Sequence, residues 1–466
     1  MFRNFGEQCA VIDERGREFS YNQIFEDVEA FYSQIGRRCL IFIMCKNEKD
    51  SLVGYVSCIN HHVVPLLLSA GLDEELYAHL KETYHPEYIW APSGSAYAGE
   101  MECVWTLDEY SLYRTGLEPY ALNEKLALLL TTSGSTGSPK LVRQSYDNIR
   151  ANTESIVEYL EITAKERPIT SLPMNYTYGL SIINTHLYTG ATILMTNHAI
   201  MQKEFWQIMR EREATSIAGV PYTYEMLNRL RFFGMDLPAL KTMTQAGGKL
   251  SPELHRKFAE YAAEKEKKFI VMYGQAEATA RMAYLPAEHS LEKYGSMGIA
   301  IPGGRLELID VNGKLIEDAD IVGELVYYGE NVTLGYAEKG EDLAHGDERN
   351  GCLVTGDMAK RDEDGFYYIV GRKKRFLKIF GNRVNLDETE RILKTRFPEV
   401  DVACAGVDDK MYVFVTADMD ETEIRKYLSE KTGLHISAFC VKKIEEVPKN
   451  DSGKTLYKAL EKYYKE

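Results

Sequence analysis

The segment of this 466-residue chain best equipped to hold an anion is Thr131-Thr132-Ser133-Gly134-Ser135-Thr136-Gly137-Ser138-Pro139-Lys140. Between Thr132 and Gly137 stand four hydroxyl side chains and two glycines. Such a backbone can wrap an anion with hydroxyl and N–H donors, and Lys140 adds a positive charge. It is not the Walker phosphate loop: Gly134 and Gly137 are three apart, and the lysine follows proline. The bland alternative, a flexible surface linker, fits poorly beside the apolar run Lys125–Thr131. A second lysine, Lys454, sits in Pro448-Lys449-Asn450-Asp451-Ser452-Gly453-Lys454. A lysine on a Ser-Gly loop is a point charge able to enter and leave a site. Taken alone it is a surface lysine. The small residues of Gln245-Ala246-Gly247-Gly248-Lys249-Leu250 let a flat base or an acyl chain approach the backbone closely, or form an ordinary strand-to-helix turn. Two carboxylates follow apolar runs: Glu277 in Tyr273-Gly274-Gln275-Ala276-Glu277, and Asp357 in Leu353-Val354-Thr355-Gly356-Asp357. In isolation these are a helix-start carboxylate and a turn aspartate.

In this order, these segments resemble the signature of the AMP-forming acyl and aryl acid ligases. That is the adenylate-forming superfamily of acyl-CoA synthetases, carrier-protein ligases, adenylation domains and luciferases. The resemblance runs from about residue 10 to 458. It implies that Thr132–Lys140 hold the β and γ phosphates of ATP. Tyr273 stacks on adenine within a binding stretch that includes Gly274, Gln275 and Ala276. Glu277 holds Mg²⁺, a hard ion suited to bridging a carboxylate and phosphate oxygens. Ala276 stands where the family has Thr, so one hydroxyl donor to the α-phosphate is missing. Gln245, Gly247, Gly248 and Lys249 line the adenine and acid pockets. Asp357 accepts both ribose hydroxyls, as a carboxylate can, and Arg372 reaches the same ribose. Lys374 is the hinge, Gly381 and Arg383 belong to the thiol tunnel, and Lys454 is catalytic. Leu386 stands where the family commonly has Pro, and no function is drawn from it.

The implied reaction has two steps. A carboxylate attacks the α-phosphorus of MgATP and pyrophosphate leaves; then a thiol attacks the acyl-adenylate and AMP leaves. The thiol belongs to coenzyme A or to the phosphopantetheine arm of a carrier protein. Acid-pocket walls fall at Tyr176, Tyr178, Ile182, Ile183, Tyr222, Gln245 and Gly247. Thr177 aligns with the Asp by which amino-acid-activating members pair an α-ammonium, so an acid without an α-amino group is expected. The alternative is a non-catalytic adenylate- or nucleotide-binding protein on the same scaffold, towards which Ala276 alone points. Luciferase-like oxygenation has no support beyond the shared fold.

The elements that must position these residues read as α/β. Leu40–Cys45 and Val63–Leu68 are apolar strands around a helical Asp50–His61, a βαβ unit. Lys125–Thr131, a helix at Tyr146–Leu160 and a strand at Ala191–Thr196 repeat the pattern. Ser216–Val220, Thr242–Gln245 and Phe269–Met272 are further strands. Such alternation predicts parallel sheets covered by helices. After about Ser296, turn dipeptides and short alternating strands predict a small antiparallel, barrel-like section. After the run Arg372-Lys373-Lys374-Arg375 comes a tail that, counted from Arg375 to the end, has 17 basic and 17 acidic side chains, so the net charge of −15 lies almost wholly before it. The expected division is therefore a large domain over 1–373 that binds ATP and acid, and a mobile small α/β domain over 374–466.

Lys and Arg total 55 against 70 Asp and Glu, which excludes a general nucleic-acid surface because phosphate neutralisation needs a basic excess. No stretch reaches the roughly 18–20 apolar residues of a membrane span, and the start lacks a signal-peptide core. Eight scattered cysteines without a CxxC pair predict reduced thiols and a cytoplasmic protein.

Overall fold

The structure, a computed structural model, describes residues 1–131, 140–380, 382–407, 409–449 and 455–465. By compactness it divides into two units, Met1–Arg305 with Tyr327–Leu353, and Leu306–Val326 with Val354–Glu466.

The first unit is built on an eight-stranded sheet. Its order is Gly335–Ala337, Leu141–Ser145, Leu126–Thr131, Val64–Ser69, Leu40–Cys45, Tyr88–Pro92, Tyr110–Arg114 and Glu102–Leu107. The four central strands run parallel, and antiparallel strands finish both edges. Leu40–Cys45 is buried at every residue, as a strand covered on both faces must be. A second sheet orders Ser216–Gly219, Thr242–Gln245 and Lys268–Tyr273 in parallel, then Ala283–Tyr284 and Ile299–Ala300 antiparallel. The strand expected over 191–196 shortens to Ile193–Leu194, which pairs with Cys9–Ile12 in a separate three-stranded sheet. The helix Tyr146–Leu160 falls where expected, and Ser145 closes its first turn with Asn148 in a reciprocal cap.

The second unit carries a four-stranded sheet in the linear order Arg305–Ile309, Gly323–Tyr328, Cys352–Arg361, Tyr367–Arg372. This is the section read from the sequence as barrel-like. The tail follows with an antiparallel pair, Phe376–Ile379 and Asn382–Asn385. Beyond it, the helices Leu386–Arg396 and Glu421–Thr432 pack with a sheet of Val402–Val407, Lys410–Val415 and Phe439–Lys443. No helix among the described residues is long and apolar enough to cross a membrane.

Trp90 shows how tightly the large sheet is held. It is fully buried, donates from Nε1 to the Asp50 carbonyl at 2.8 Å, and stands 5.1 Å edge-on to Phe31. Trp90→Ala removes both and leaves a cavity, so urea denaturation is expected to show a loss of about 3–5 kcal/mol. A loss below about 1 kcal/mol would contradict this packing.

Candidate functional site

The site begins where the strand Lys268–Tyr273 ends. At Gly274 an added Cβ would lie 1.7 Å from the Ala280 carbonyl oxygen, so the chain doubles back against itself there. A short 3₁₀ turn, Ala276–Ala278, follows, and then Thr279 at φ 64°, a rare conformation for a β-branched residue. Side chains from elsewhere hold this bend. Asn331 donates Nδ2 to the carbonyls of Ala278 and Arg281, both at 2.9 Å, and the Thr177 hydroxyl donates to the Thr279 carbonyl.

The bend presents Glu277 half-buried. Its Oε1 accepts the Tyr336 hydroxyl at 2.6 Å. Its backbone carbonyl accepts the Thr333 hydroxyl at 3.0 Å and Arg349 Nη1 at 3.2 Å. Burial, reinforced by the Glu277 charge, holds the Tyr336 phenol well above its usual range, so it remains a donor at neutral pH. The Tyr336 ring gathers two cations. The Arg349 guanidinium lies 4.5 Å from its centroid and the Lys140 ammonium 5.6 Å. Lys140 also pairs with Glu338. Lys140 and Glu277, 137 positions apart in the chain, therefore meet around one tyrosine. Its strand, Gly335–Ala337, is placed beside Leu141–Ser145 by the ladder and by fully buried Arg143, which donates Nε to the Tyr336 carbonyl at 2.9 Å.

Two residues beyond the neighbouring strand Thr242–Gln245 stands Gly247 at φ 85°. A Cβ there would meet the Tyr176 hydroxyl at 2.6 Å and Val220 at 3.0 Å, so this position needs glycine twice over. Gln245 is fully buried and donates Nε2 to the carbonyls of Ala246 and Gly248; its Oε1 has no partner among the described residues. Gln275 donates to the Tyr273 hydroxyl at 3.1 Å. Gly248 and Lys249 are exposed, and Tyr222 is 53% exposed. Tyr178 is buried and donates to Thr244 Oγ1 at 2.8 Å. Ile183 packs into the main core, whereas Ile182 lines a cavity of about 330 Å³ on the helix-covered side of the sheet.

In the second unit Asp357 and Arg372 come together as the spacing implied. They face each other across paired strands with Nε 3.2 Å from Oδ1, and Asp357 is 4% exposed. The basic run is shared out. Lys373 pairs with Glu324 at 2.7 Å, while Arg375, buried, pairs with Asp387 and Glu390 on the helix Leu386–Arg396. Thr132, Ser133, Gly134, Ser135, Thr136, Gly137, Gly381 and Lys454 lie outside the described residues, as do the side chains of Lys374 and Arg383.

Among the residues of the site not singled out from the sequence are Tyr336, Arg349, Arg143 and Arg281. The first three belong to none of the motifs. Arg281 stands only four positions after Glu277, and an arginine inside an otherwise apolar run was the available signal.

A family model described as AMP-binding enzyme matches residues 2–337. The chain belongs to this family. Among curated relatives, a 2-succinylbenzoate–CoA ligase of Bacillus mycoides (strain KBAB4) is 28% identical over 357 residues, which cover 75% of this chain and 72% of that protein. The Bacillus subtilis (strain 168) protein of the same name is 26% identical over 90% of this chain and 86% of its own. The 4-coumarate–CoA ligase-like 2 of Arabidopsis thaliana is 27% identical, and the match spans 61% of its length. Among solved structures, o-succinylbenzoate CoA synthetase from Bacillus subtilis with its acyl-adenylate intermediate aligns at a TM-score of 0.78 and 22% identity, over 97% of this chain and 95% of that one. The same synthetase with ATP and magnesium ion aligns at 0.79 and 21%, over 98% and 97%. These likenesses bear out the expected architecture, a large N-terminal α/β part followed by a smaller α/β region.

The bend of this AMP-binding enzyme predicts a sharp contrast between two glycines. Gly274→Ala forces backbone apart and is expected to lower stability by about 1–3 kcal/mol. Gly234→Ala meets nothing within 4 Å and is expected to stay within about 0.5 kcal/mol. Thermal melting of both variants checks this; equal melting temperatures would refute the close approach.

Proposed function

We propose that the protein activates a carboxylic acid lacking an α-amino group, using MgATP to form an acyl-adenylate and pyrophosphate. It then passes the acyl group to the thiol of a pantetheine arm, that of coenzyme A rather than a carrier protein. The observation that carries this reading is the meeting of Lys140 and Glu277 at Tyr336. It brings a cation from the end of the hydroxyl-rich loop to the carboxylate that would hold the metal. The names of the relatives, all acid–CoA ligases, favour coenzyme A.

The donor set fits magnesium bound to a nucleotide. Among the described residues no cluster of three metal-ligating side chains occurs, and nucleotide-bound magnesium takes only one or two carboxylates beside phosphate oxygens. Glu277 supplies a hard oxygen, held by Tyr336. When bound, the ion neutralises phosphate charge. The residues of the chain divide the remaining work. Tyr273 stacks on adenine, Asp357 and Arg372 hold the ribose, and Thr132–Gly137 with Lys140 hold the outer phosphates. Lys454 neutralises the reacting oxygens as charge moves between them. No general base is required, since the acid is already ionised at neutral pH. Thr177 gives its hydroxyl to the backbone and offers no charge to an ammonium, which supports the exclusion of α-amino acids.

In the thiol step Lys454 must withdraw. A hinge at Lys374, with 374–466 turning as a body, is part of the proposal. Its support is the division of the side chains in the basic run: those of Arg372 and Lys373 pair with Asp357 and Glu324 in the sheet before Lys374, and that of Arg375 pairs with Asp387 and Glu390 on the helix after it, while the Arg372 backbone N–H also donates to Asp387 at 3.3 Å. A hinge turns by rotation at a few residues, and in this reading those bonds to Asp387 exchange as Lys374 rotates.

Two outcomes are expected. Pyrophosphate release with a panel of fatty and aryl acids falls to background in Lys454→Ala, and α-amino acids support none in the wild type. Release that is equal in wild type and variant would leave a nucleotide-binding protein instead. Tyr336→Phe strips Glu277 of a charged hydrogen bond, so the magnesium concentration at half-maximal release is expected to rise about tenfold or more, for a bond of roughly 1.5–3 kcal/mol. An unchanged magnesium titration would remove Glu277 from the metal.

A further inference from the structure

Arg349 is a cation set beside the candidate metal carboxylate without being paired to it. Its guanidinium lies 4.5 Å from the Tyr336 ring centroid, and its Nη1 donates to the Glu277 carbonyl at 3.2 Å and to the Thr333 hydroxyl. The same Tyr336 gives its hydroxyl to Glu277 Oε1 at 2.6 Å. Among the described residues no carboxylate forms an ion pair with Arg349. The two acidic residues before it are turned to other tasks. Asp347 accepts the backbone N–H groups of Arg349 and Asn350, both at 2.9 Å, and Glu348 pairs with buried Arg143 at 2.7 Å. Lys140, the other cation at this ring, is already balanced by Glu338.

A structural duty accounts for only part of this. Tying residue 349 to the bend at Glu277 takes one nitrogen, and a neutral donor would serve. The charge and the Nε–Nη2 edge remain, and that edge donates to no carboxylate or carbonyl among the described residues. It is an edge of the guanidinium able to grip two oxygens at once. The position is also fixed. Asp347 holds the Arg349 N–H, the Arg349 carbonyl accepts the Cys352 N–H at 3.0 Å, and the Tyr336 ring packs on the guanidinium. A half-buried cation held close to a carboxylate, yet not joined to it, suits a ligand that brings both a metal ion and negative oxygens.

We propose that Arg349 binds the outer phosphates of ATP and the pyrophosphate that leaves. This rests on the reading that the chain adenylates an acid, and adds to it a catalytic residue from outside the motifs. In the adenylation step a carboxylate oxygen bonds to the α-phosphorus. The bond from that phosphorus to the bridging oxygen breaks, and its electron pair leaves on pyrophosphate. Arg349 donates to oxygens of this leaving group, where negative charge accumulates as the bond breaks. The guanidinium stays protonated throughout. AMP has no outer phosphates, so Arg349 distinguishes ATP and pyrophosphate from AMP.

The test is calorimetric binding of MgATP, magnesium pyrophosphate and AMP, at saturating magnesium and without acid, to wild type, Arg349→Gln and Arg349→Lys. Gln keeps a neutral donor for the Glu277 carbonyl. It is expected to weaken MgATP and pyrophosphate by about 10- to 100-fold, the range for hydrogen bonds to a charged partner, and to leave AMP within about twofold. Lys keeps the charge and loses the fork, and is expected to weaken the same two ligands by about 3- to 10-fold. Lys also preserves the cation against Tyr336, so it carries the test if the Gln variant does not fold. A residue that only holds the bend would weaken all three ligands alike, or would shift the magnesium midpoint as Tyr336→Phe does while ATP affinity at saturating magnesium stays the same. Either result, or unchanged ATP affinity in the variants, would overturn the inference and leave adenylation standing. Wild type that binds MgATP but releases pyrophosphate with no acid would overturn the adenylation reading, and the binding comparison would still decide the phosphate contact.

Discussion

At Gly274 the backbone leaving the strand Lys268–Tyr273 passes so close to Ala280 that no side chain has room, and the chain must reverse within six residues. This one steric constraint sets the polarity of the site. Within the reversal, Glu277 is left half-buried against Tyr336, and Arg281, four positions later, goes inwards against Tyr178. A wider loop would let both side chains relax into solvent. The bend carries strain at Thr279, where a β-branched residue at φ 64° costs of the order of 1–3 kcal/mol. The hydrogen bonds from Asn331, Asn152, Thr177 and Thr333 outweigh it together, each contributing about 0.5–1.5 kcal/mol.

The parallel strands were legible because their physics is local. A run such as Leu40–Cys45 is apolar on both faces, and only a sheet covered on both sides accommodates that. The helix Tyr146–Leu160 lies where the βα alternation placed it, and Ser145 caps its first turn. The strand at Ile193–Leu194 came out shorter than its apolar run because its neighbour Cys9–Ile12 pairs with it at only two positions. Backbone pairing, which the sequence does not display, decides strand length. Asp357 and Arg372 were legible as a pair because the hairpin between them brings them into register.

Tyr336, Arg349 and Arg143 were not legible, for a common reason. Each acts through a partner far along the chain: Tyr336 reaches Glu277 across 59 positions, Arg349 across 72, and Arg143 reaches the Tyr336 carbonyl across 193. Motif reading finds residues that must be close in sequence to work. It passes over those brought together by sheet order, and here a strand from residues 335–337 lies beside one from 141–145.

Charge explains why an acidic chain can nonetheless serve an anionic ligand. The net charge of −15 acts over the whole surface, but salt screens it beyond about 8 Å at physiological ionic strength. Inside the site, distances are shorter than that. Lys140 and Arg349 stand within 6 Å of the Tyr336 ring, beside the Glu277 carboxylate it anchors. Local fields of this kind survive screening best where the groups are partly buried and fixed, as Arg349 and Glu277 are; Lys140 is exposed and acts through its closeness. The composition that excludes a nucleic-acid surface, where many phosphates must be met at once, thus places no bar on a single nucleotide. What matters for one nucleotide is the sign of a few charges held in place, and the ladder between Leu141–Ser145 and Gly335–Ala337 fixes Tyr336, around which they gather.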